Sequence, residues 1–484
     1  MTYQTKVEPW VHQVKAARKI DGKRAFAFLA AMRTGKTKML LDDFGRLEDK
    51  AEVDDLLVIA PAAVYHTWLT AIEEHVGSTL ADRLSVHLWE AGAGRQAERD
   101  LEDFMAIRHR PRILLVNVEA LSGVIRARVL CKDFLKQRSS MLAIDESTTI
   151  KNPTARRTKF ILNELKYVAA YRRILTGLVS PKNPLDLWAQ FQFLDRRIFG
   201  YDKFTAFRAR YSITKQVDFG GRYPATIVVG FRPDDVETLH RLIEPHSFRI
   251  RLEDCYDLPP KMYSFRDVEL TDEQRKVYRQ IKDDAHAKLG DGDHVSASQV
   301  ITQILRMHQV LLGHVGLEDG RTATLPEKRT DELMALLEEH GDGKAVIWVS
   351  YDDDVVKLTE RLRKEYGEGS VARFWGGNRN EREEEERRFR EDEGCRFMIA
   401  TASAGGRGRK WDVADLVVYY SNTPDLEHRS QSEERTQGIG KVRSVLYVDM
   451  RVPGTVEDKI IATLRKKITL ASVVNGDNYQ SWLI

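Results

Sequence analysis

Cysteine is scarce in this chain. Cys131, Cys255 and Cys395 are the three among 484 residues, and none stands in a Cys-x-x-Cys spacing. That excludes a disulfide framework and a cysteine zinc site, and it leaves buried free thiols as the expectation. Long apolar runs are missing too. No stretch reaches the ~20 residues of a membrane span, and Met1-Thr2-Tyr3-Gln4-Thr5 lacks the pattern of a signal peptide. There is no excess of one charge sign: 76 Lys and Arg against 73 Asp and Glu give a net charge of +3. A wholesale polycation is excluded, so any nucleic-acid surface is a local patch. No internal repeat is visible. The expectation is a soluble cytoplasmic protein with no membrane partner. Its length and 42% hydrophobic content give room for two or more domains with their own cores.

What is present centres on Ala30-Ala31-Met32-Arg33-Thr34-Gly35-Lys36-Thr37. The apolar run Ala25–Leu29 before it reads as a buried strand, and Met39–Phe44 after it as a helix. A strand, a tight loop, Gly-Lys-Thr and a helix make a phosphate cradle. Loop and helix-start N–H groups converge on an anion, and the helix dipole adds to the attraction. Lys36 reaches the terminal phosphates, and Thr37 offers a hydroxyl to Mg²⁺. The first glycine of the usual pattern is Ala30 here.

Further strands follow. Leu56–Ala60 closes on Pro61, and Ile113–Val118 precedes Glu119; both are continuous apolar runs, as in parallel strands covered on both faces. Val64-Tyr65-His66-Thr67-Trp68 starts a helix. Met141–Ile144 ends in Asp145-Glu146, two carboxylates that are costly at a buried strand end unless occupied. With a phosphate loop in the same sheet, Asp145 is expected to hold Mg²⁺ and Glu146 to polarise water. Ile174-Leu175-Thr176-Gly177 is a fourth strand end, its Thr-Gly beside the nucleotide. Gln13 carries an amide able to read an adenine edge, or is an ordinary surface glutamine.

From about Asp195 the character changes. Phe204, Phe207 and Tyr211, with Arg208 and Arg210 between, fit a helix packing its apolar face better than a nucleic-acid stacking surface. Gly220-Gly221 and Tyr223-Pro224 mark a turn between short strands, and Leu258-Pro259-Pro260-Lys261 a linker. A second α/β half begins near Met262. It holds a capping box at Thr271 and Gln274, a helix over Ile301–Leu312, and strands at Ala345–Ser350, Arg396–Ala400 and Leu416–Tyr420. Glu381–Glu393 reads as a solvated, ion-paired helix. Ala404-Gly405-Gly406-Arg407-Gly408 follows a strand, which suits backbone close to a phosphate. Gln431-Ser432-Glu433-Glu434-Arg435 reads as a helix start.

In this order the stretches resemble a superfamily-two helicase, specifically the Swi/Snf-type branch of double-stranded-DNA translocases. The likeness runs from about Pro9 to Lys467. Ala-Met-Arg-Thr-Gly-Lys-Thr, Val-Ile-Ala-Pro-Ala-Ala-Val-Tyr-His-Thr-Trp, Ile-Asp-Glu-Ser-Thr-Thr-Ile-Lys-Asn, Ile-Leu-Thr-Gly, Ala-Gly-Gly-Arg-Gly and Gln-Ser-Glu-Glu-Arg carry it. Gly454–Ile460 is similar to the element that closes this branch's second lobe, and Phe204–Leu258 to the interlobe insertion of compact bacterial, phage or annealing-helicase-like members. The resemblance implies an α/β fold of two tandem RecA-like parallel-sheet lobes with a cleft between them and a mainly helical interlobe insertion. The expected division is 1–195, 196–261 and 262–484. It further implies ATP bound by Gln13, Arg33, Thr34, Gly35, Lys36, Thr37, Gly408 and Arg435, and Mg²⁺ held by Thr37 and Asp145. Catalysis would fall to Lys36, Asp145, Glu146 and Arg435. Pro61, Ser350, Gly405 and Gly406 would lie along duplex or branched DNA, touching phosphates and so indifferent to sequence. A monomer is expected, nucleoid-associated in a bacterial or phage setting.

The chain departs from the family pattern in three places. Leu178-Val179 replaces Thr-Pro after the third motif, and Arg409-Lys410 replaces leucine-type residues after Ala-Gly-Gly-x-Gly. Gly438 stands three residues after Arg435, where the family has a second arginine. An arginine finger is worth about 10³–10⁵ in rate, or about 4–7 kcal/mol of barrier. Arg429, Lys441 and Arg443 are the candidates to replace it. The leading expectation is a DNA-stimulated ATP-driven translocase. The alternatives are a nucleotide-gated DNA-binding or scaffold protein with weak hydrolysis, and an RNA helicase.

Overall fold

The computed structural model describes residues 3–475 except 63, 179, 181–182, 218–224, 257–258, 291–296, 317–321, 402–409, 438–440 and 442. Two compact units emerge. One comprises 1–213, 229–257 and 469–484, the other 214–228 and 258–468.

The first unit is built on a parallel sheet. Its strands are β1 (Ala25–Ala30), β2 (Asp55–Ala60), β3 (Ser85–Leu88), β4 (Arg112–Asn117), β5 (Ser140–Asp145) and β6 (Tyr171–Thr176). β9 (Ser247–Ile250) joins this sheet, whereas β7 (Ile213–Val217) and β8 (Ala225–Gly230), which fall mostly in the other unit, form a separate two-stranded sheet. The order is β3-β4-β2-β5-β6-β1-β9, with every neighbouring pair parallel. All six residues of β2 are buried, as are five of six in β1. Helices cover both faces, which is why these strands read as unbroken apolar runs rather than as alternation. From β1 the chain crosses to β2 and on to β3, then turns back through β4, so that β5 and β6 fill the gap between β2 and β1 and the carboxyl ends of β5, β6 and β1 lie side by side.

The segment expected as an insertion carries the helices Phe204–Tyr211 and Pro233–Ile243, the β7–β8 pair and β9. β9 pairs with β1 from Ala27↔Ser247 to Ala30↔Ile250, so β9 completes the first sheet. Phe207 and Tyr211 are buried, packed edge or tilted against Phe199 and Tyr201. They are core residues, in line with the packing reading.

The second unit repeats the plan. Its strands are β10 (Lys261–Asp267), β11 (His314–Gly316), β12 (Thr322–Thr324), β13 (Ala345–Val349), β14 (Val371–Phe374), β15 (Phe397–Thr401), β16 (Leu416–Tyr419) and β17 (Val445–Arg451). The sheet runs β10-β17-β16-β13-β15-β14, again all parallel, while β11 and β12 form a small antiparallel pair. The capping box forms as expected: Gln274 N–H donates to Thr271 Oγ1 at 3.2 Å, and Thr271 N–H to Gln274 Oε1 at 3.2 Å. A buried ion pair ties this unit's last helix to its centre. Arg329 is fully buried and donates to both oxygens of Glu457, at 2.8 and 2.6 Å, and to the carbonyls of Tyr420 and Met450.

Candidate functional site

β1 ends at Ala30, and the chain turns through Ala31–Gly35 into the helix Lys36–Asp49. The turn places Arg33 at φ 66° and Gly35 at φ 78°. Gly35 is required there on two counts: that backbone region disfavours a side chain, and a Cβ would lie 2.3 Å from Gln13 Nε2. Arg33 is a non-glycine residue held in the same region, a local strain typical of ligand-binding loops. The helix start has no side-chain cap and no acidic residue in its first turn. Ordinary helices begin with Ser, Thr, Asp or Asn accepting from those N–H groups. Here the amides, the positive end of the dipole and Lys36 are left to an anion.

Opposite the cradle stand the two carboxylates at the end of β5. Lys36 Nζ lies 3.5 Å from Glu146 Oε1, in a buried position with no hydrogen-bond partner. Glu146 sits at φ 48°, a left-handed conformation that aims its side chain back across the strand ends. Thr176 at the end of β6 donates its hydroxyl to Glu146 Oε2 at 3.4 Å. Gly177 follows, where a Cβ would meet the backbone of Ala30 and Ala31 at 3.5 and 3.6 Å, so β6's exit runs directly beside the phosphate loop. Asp145 is held at both oxygens: Glu146 N–H donates to Oδ1 at 2.9 Å, and the Trp68 indole N–H to Oδ2 at 3.0 Å. Burial, then the neighbouring Glu146, pushes the Asp145 carboxyl above its usual range, against the pull of Lys36 and Trp68. Among the described residues no hydrogen bond joins Thr37 to Asp145 or Glu146.

The helix Val11–Ile20 buttresses the loop. Gln13 is 5% exposed rather than a surface residue; its Oε1 accepts from Trp10 N–H at 3.0 Å and its Nε2 donates to the Thr34 carbonyl at 3.4 Å. One amide hydrogen and one lone pair remain on it. Sequence reasoning passed over its neighbour His12, whose Nε2 lies 2.8 Å from the same carbonyl. Cys255 Sγ is 3.5 Å from His12 Nδ1; this cysteine is half-exposed, against the expectation of a buried thiol that Cys131 and Cys395 meet.

Pro61 is buried just past the carboxyl end of β2, at the same end of the parallel sheet as Ala30 and Asp145, and the Ala62 N–H is held by Glu119 at 3.0 Å. In the second unit, Ser350 follows β13 and its N–H donates to Ser421 Oγ at 2.8 Å. Gly405, Gly406 and Gly408 lie outside the described residues, as does Gly438. The Gln431–Arg435 stretch does not open a helix. It ends one, Leu426–Thr436, which starts under the Asp425 side chain accepting from Glu427 and His428 N–H. Arg435 is 3% exposed, its guanidinium 4.8 Å from the Trp411 ring and 5.5 Å from the Trp348 ring. Of the candidate replacements for the missing arginine, Arg429 is locked by Asp449, Asn422 and Glu433, and lies 3.5 Å over Tyr419. Lys441 donates to the carbonyls of Asp412, Ala414 and Thr436. Arg443 is 84% exposed, 3.7 Å from Asp415.

A family model described as the SNF2-related domain matches residues 22–313, and one described as the helicase conserved C-terminal domain matches residues 328–442. Among its relatives, YwqA of Bacillus subtilis, provisionally described as an ATP-dependent helicase/translocase, is 23% identical over 93% of this chain and 46% of its own length. The TATA-binding protein-associated factor MOT1 of Saccharomyces cerevisiae is 24% identical over 71% of this chain and 21% of its own. Human SWI/SNF-related matrix-associated actin-dependent regulator of chromatin subfamily A member 1 is 25% identical over 92% and 41%. The chain therefore spans less than half the length of each of these three. The Sulfolobus solfataricus SWI2/SNF2 ATPase core, solved in complex with double-stranded DNA, is 20% identical with a TM-score of 0.42, covering 99% of this chain and 95% of that one.

Proposed function

The chain belongs to the SNF2-related helicase-like ATPases, and on that premise we propose that it is a DNA-stimulated ATP hydrolase that tracks along duplex or branched DNA. The observation that carries the proposal is the buried Lys36 ammonium, 3.5 Å from Glu146 at an uncapped helix start. In this reading the helix amides and Lys36 hold the terminal phosphates, and Gln13 supplies its remaining donor and acceptor to adenine. Glu146, oriented by the Thr176 hydroxyl, exchanges its contact with Lys36 for a hydrogen bond from the attacking water and accepts that water's proton as its oxygen bonds to the γ-phosphorus. Mg²⁺, when bound, neutralises charge on the transferred phosphoryl group. Asp145 and Thr37 offer the hard oxygen donors that ion takes. Among the described residues no group of three or more His, Cys, Asp or Glu forms a metal cage, which fits an ion shared between a carboxylate, a hydroxyl and the substrate's phosphates.

Arg435 supplies the second-lobe cation in this reading, on leaving its place against the Trp348–Trp411 pair. Pro61, Ser350, Gly405 and Gly406 contact DNA phosphates, so affinity falls steeply with salt. The expected division remains a first lobe over 1–195, a connecting segment over 196–261 and a second lobe over 262–484.

The second reading, a nucleotide-gated DNA-binding protein with weak hydrolysis, draws on one observation. Arg429 and Lys441 are engaged in structural contacts, so neither stands in for the arginine that Gly438 replaces. Phosphate release with and without duplex DNA separates the two. Stimulated turnover of about one per second or more supports the motor; saturable DNA binding with no stimulation supports the gate. Gly438→Arg raises turnover in the second case and changes it little in the first.

A further inference from the structure

Trp68 is the indole whose N–H reaches Asp145. It is 2% exposed, in the first turn of the helix Thr67–His75 that follows the Pro61 loop. Buried indole N–H groups find partners, and a backbone carbonyl would serve; this one instead ends on a carboxylate at the strand ends, 3.0 Å from Oδ2. The other oxygen, Oδ1, accepts from Glu146 N–H. The two donors come from different elements and fix the plane of the carboxylate, since rotating it about its Cβ–Cγ bond breaks both bonds. Each oxygen keeps a lone pair for a further ligand. Metal-binding carboxylates are characteristically held this way, with hydrogen-bond donors setting the orientation of the ligating group.

We propose that Trp68 is a positioning residue for the metal carboxylate. It holds Asp145 so that one oxygen is presented towards the phosphate loop, and it ties that orientation to the helix that begins just after Pro61. The inference rests on the reading of Asp145 as a Mg²⁺ ligand. Trp68 touches neither nucleotide nor metal in this account; it acts only through Asp145. Removing the N–H frees the carboxylate to rotate and exposes it to a less favourable orientation, while the phosphate loop, Gln13 and Lys36 stay as they are.

The test uses the full chain with two substitutions: Trp68→Phe, and benzothienylalanine at position 68, which keeps the fused-ring shape and replaces N–H by sulfur. Mn²⁺ binding is followed by electron paramagnetic resonance in the presence of a non-hydrolysable ATP analogue. Analogue affinity is measured separately in metal-free buffer, and duplex-DNA affinity beside it. Asp145→Asn is the control. The expected result is Mn²⁺ affinity lowered about tenfold in both Trp68 variants, with metal-free analogue and DNA affinities within about twofold of the parent. Unchanged Mn²⁺ affinity in the benzothienylalanine protein, with a loss in Asp145→Asn, overturns the role of Trp68 and leaves the metal assignment standing. Unchanged Mn²⁺ affinity in Asp145→Asn removes the premise itself. An equal loss of all three affinities in both Trp68 variants marks a merely structural residue and also overturns the proposal.

Discussion

Removing Lys36 is expected to destabilise the nucleotide-free protein, and removing Glu146 with it is expected to restore a measurable part of the loss. The pair is 3.5 Å apart, with side chains only 10% and 12% exposed. At an effective dielectric of about 20 the Coulomb attraction at that distance is about 5 kcal/mol. Part of that is offset by the cost of taking both charges out of water. Breaking a buried pair by deleting one partner nevertheless costs about 3–5 kcal/mol, because the other charge is left alone. Here the stranded charge is worse placed than usual, since Glu146 adjoins Asp145, whose carboxyl burial and Glu146 already hold high. Lys36→Ala should therefore cost about 3 kcal/mol, or about 6–12 °C for a unit of this size. Lys36→Ala with Glu146→Gln should recover about 1–3 kcal/mol of it as coupling energy. The assay is thermal unfolding followed by fluorescence. With two compact units the chain can melt in two steps, so the transition to compare is the one that nucleotide shifts in the parent protein. Additive single-mutant effects, with no recovery in the double, would refute the buried pair.

Glu457 makes the second unit acid-labile in a predictable direction. Burial alone would raise its carboxyl, but Arg329 and His308 outweigh that and hold it below the ordinary 4.5. A depressed carboxylate contributes stability above its unfolded value and loses it as pH falls through the folded one; acid titration of the unfolding midpoint should show this loss below about pH 4.5, and Glu457→Gln should flatten it. Arg435→Ala should lower the stability of the second unit by about 2 kcal/mol, because two desolvated cation–π contacts are lost; an unchanged urea midpoint would mean the guanidinium does not pack against the tryptophans. Phe207→Ala should cost about 3–5 kcal/mol as a core cavity, while leaving duplex-DNA affinity unchanged, since the ring packs inside the first unit.

The parallel strands with both faces covered were readable from composition alone: β1, β2, β4, β5, β13, β15 and β16 are apolar runs, and β2, β4, β5 and β15 are closed by Pro61, Asn117, Asp145 and Thr401. Strands with mixed faces were not. β3, Ser-Val-His-Leu, is half-buried at the sheet's margin, and β10 pairs along only one edge with much of its surface open. β9 carries Arg249 and follows a helix, so its pairing with β1 depends on a contact more than two hundred residues distant in sequence. The same limit hid Trp68 and His12. Their side chains look like ordinary helix positions until the fold brings Asp145 and Thr34 to them. Glycine and charge patterns exposed the phosphate loop because its chemistry is local. The carboxylate pair was legible because charge at the end of an apolar run is costly enough to require a reason. The helix before Arg435 starts earlier than its charge pattern suggests, because its Asp425 cap lies one residue after Pro424, outside the charged Gln431–Arg435 stretch.

The central claim is that one site, formed by the phosphate loop and the β5 carboxylates, drives DNA-stimulated hydrolysis. Its most direct test is phosphate release by the parent protein, Lys36→Ala and Glu146→Gln, each with saturating ATP and Mg²⁺, with duplex DNA, RNA or neither. The account predicts stimulation by duplex DNA above that by RNA in the parent. It predicts a fall of about 10²–10⁴ in Glu146→Gln with ATP still bound, and loss of both binding and turnover in Lys36→Ala. A Lys36→Ala protein that keeps DNA-stimulated phosphate release would contradict it.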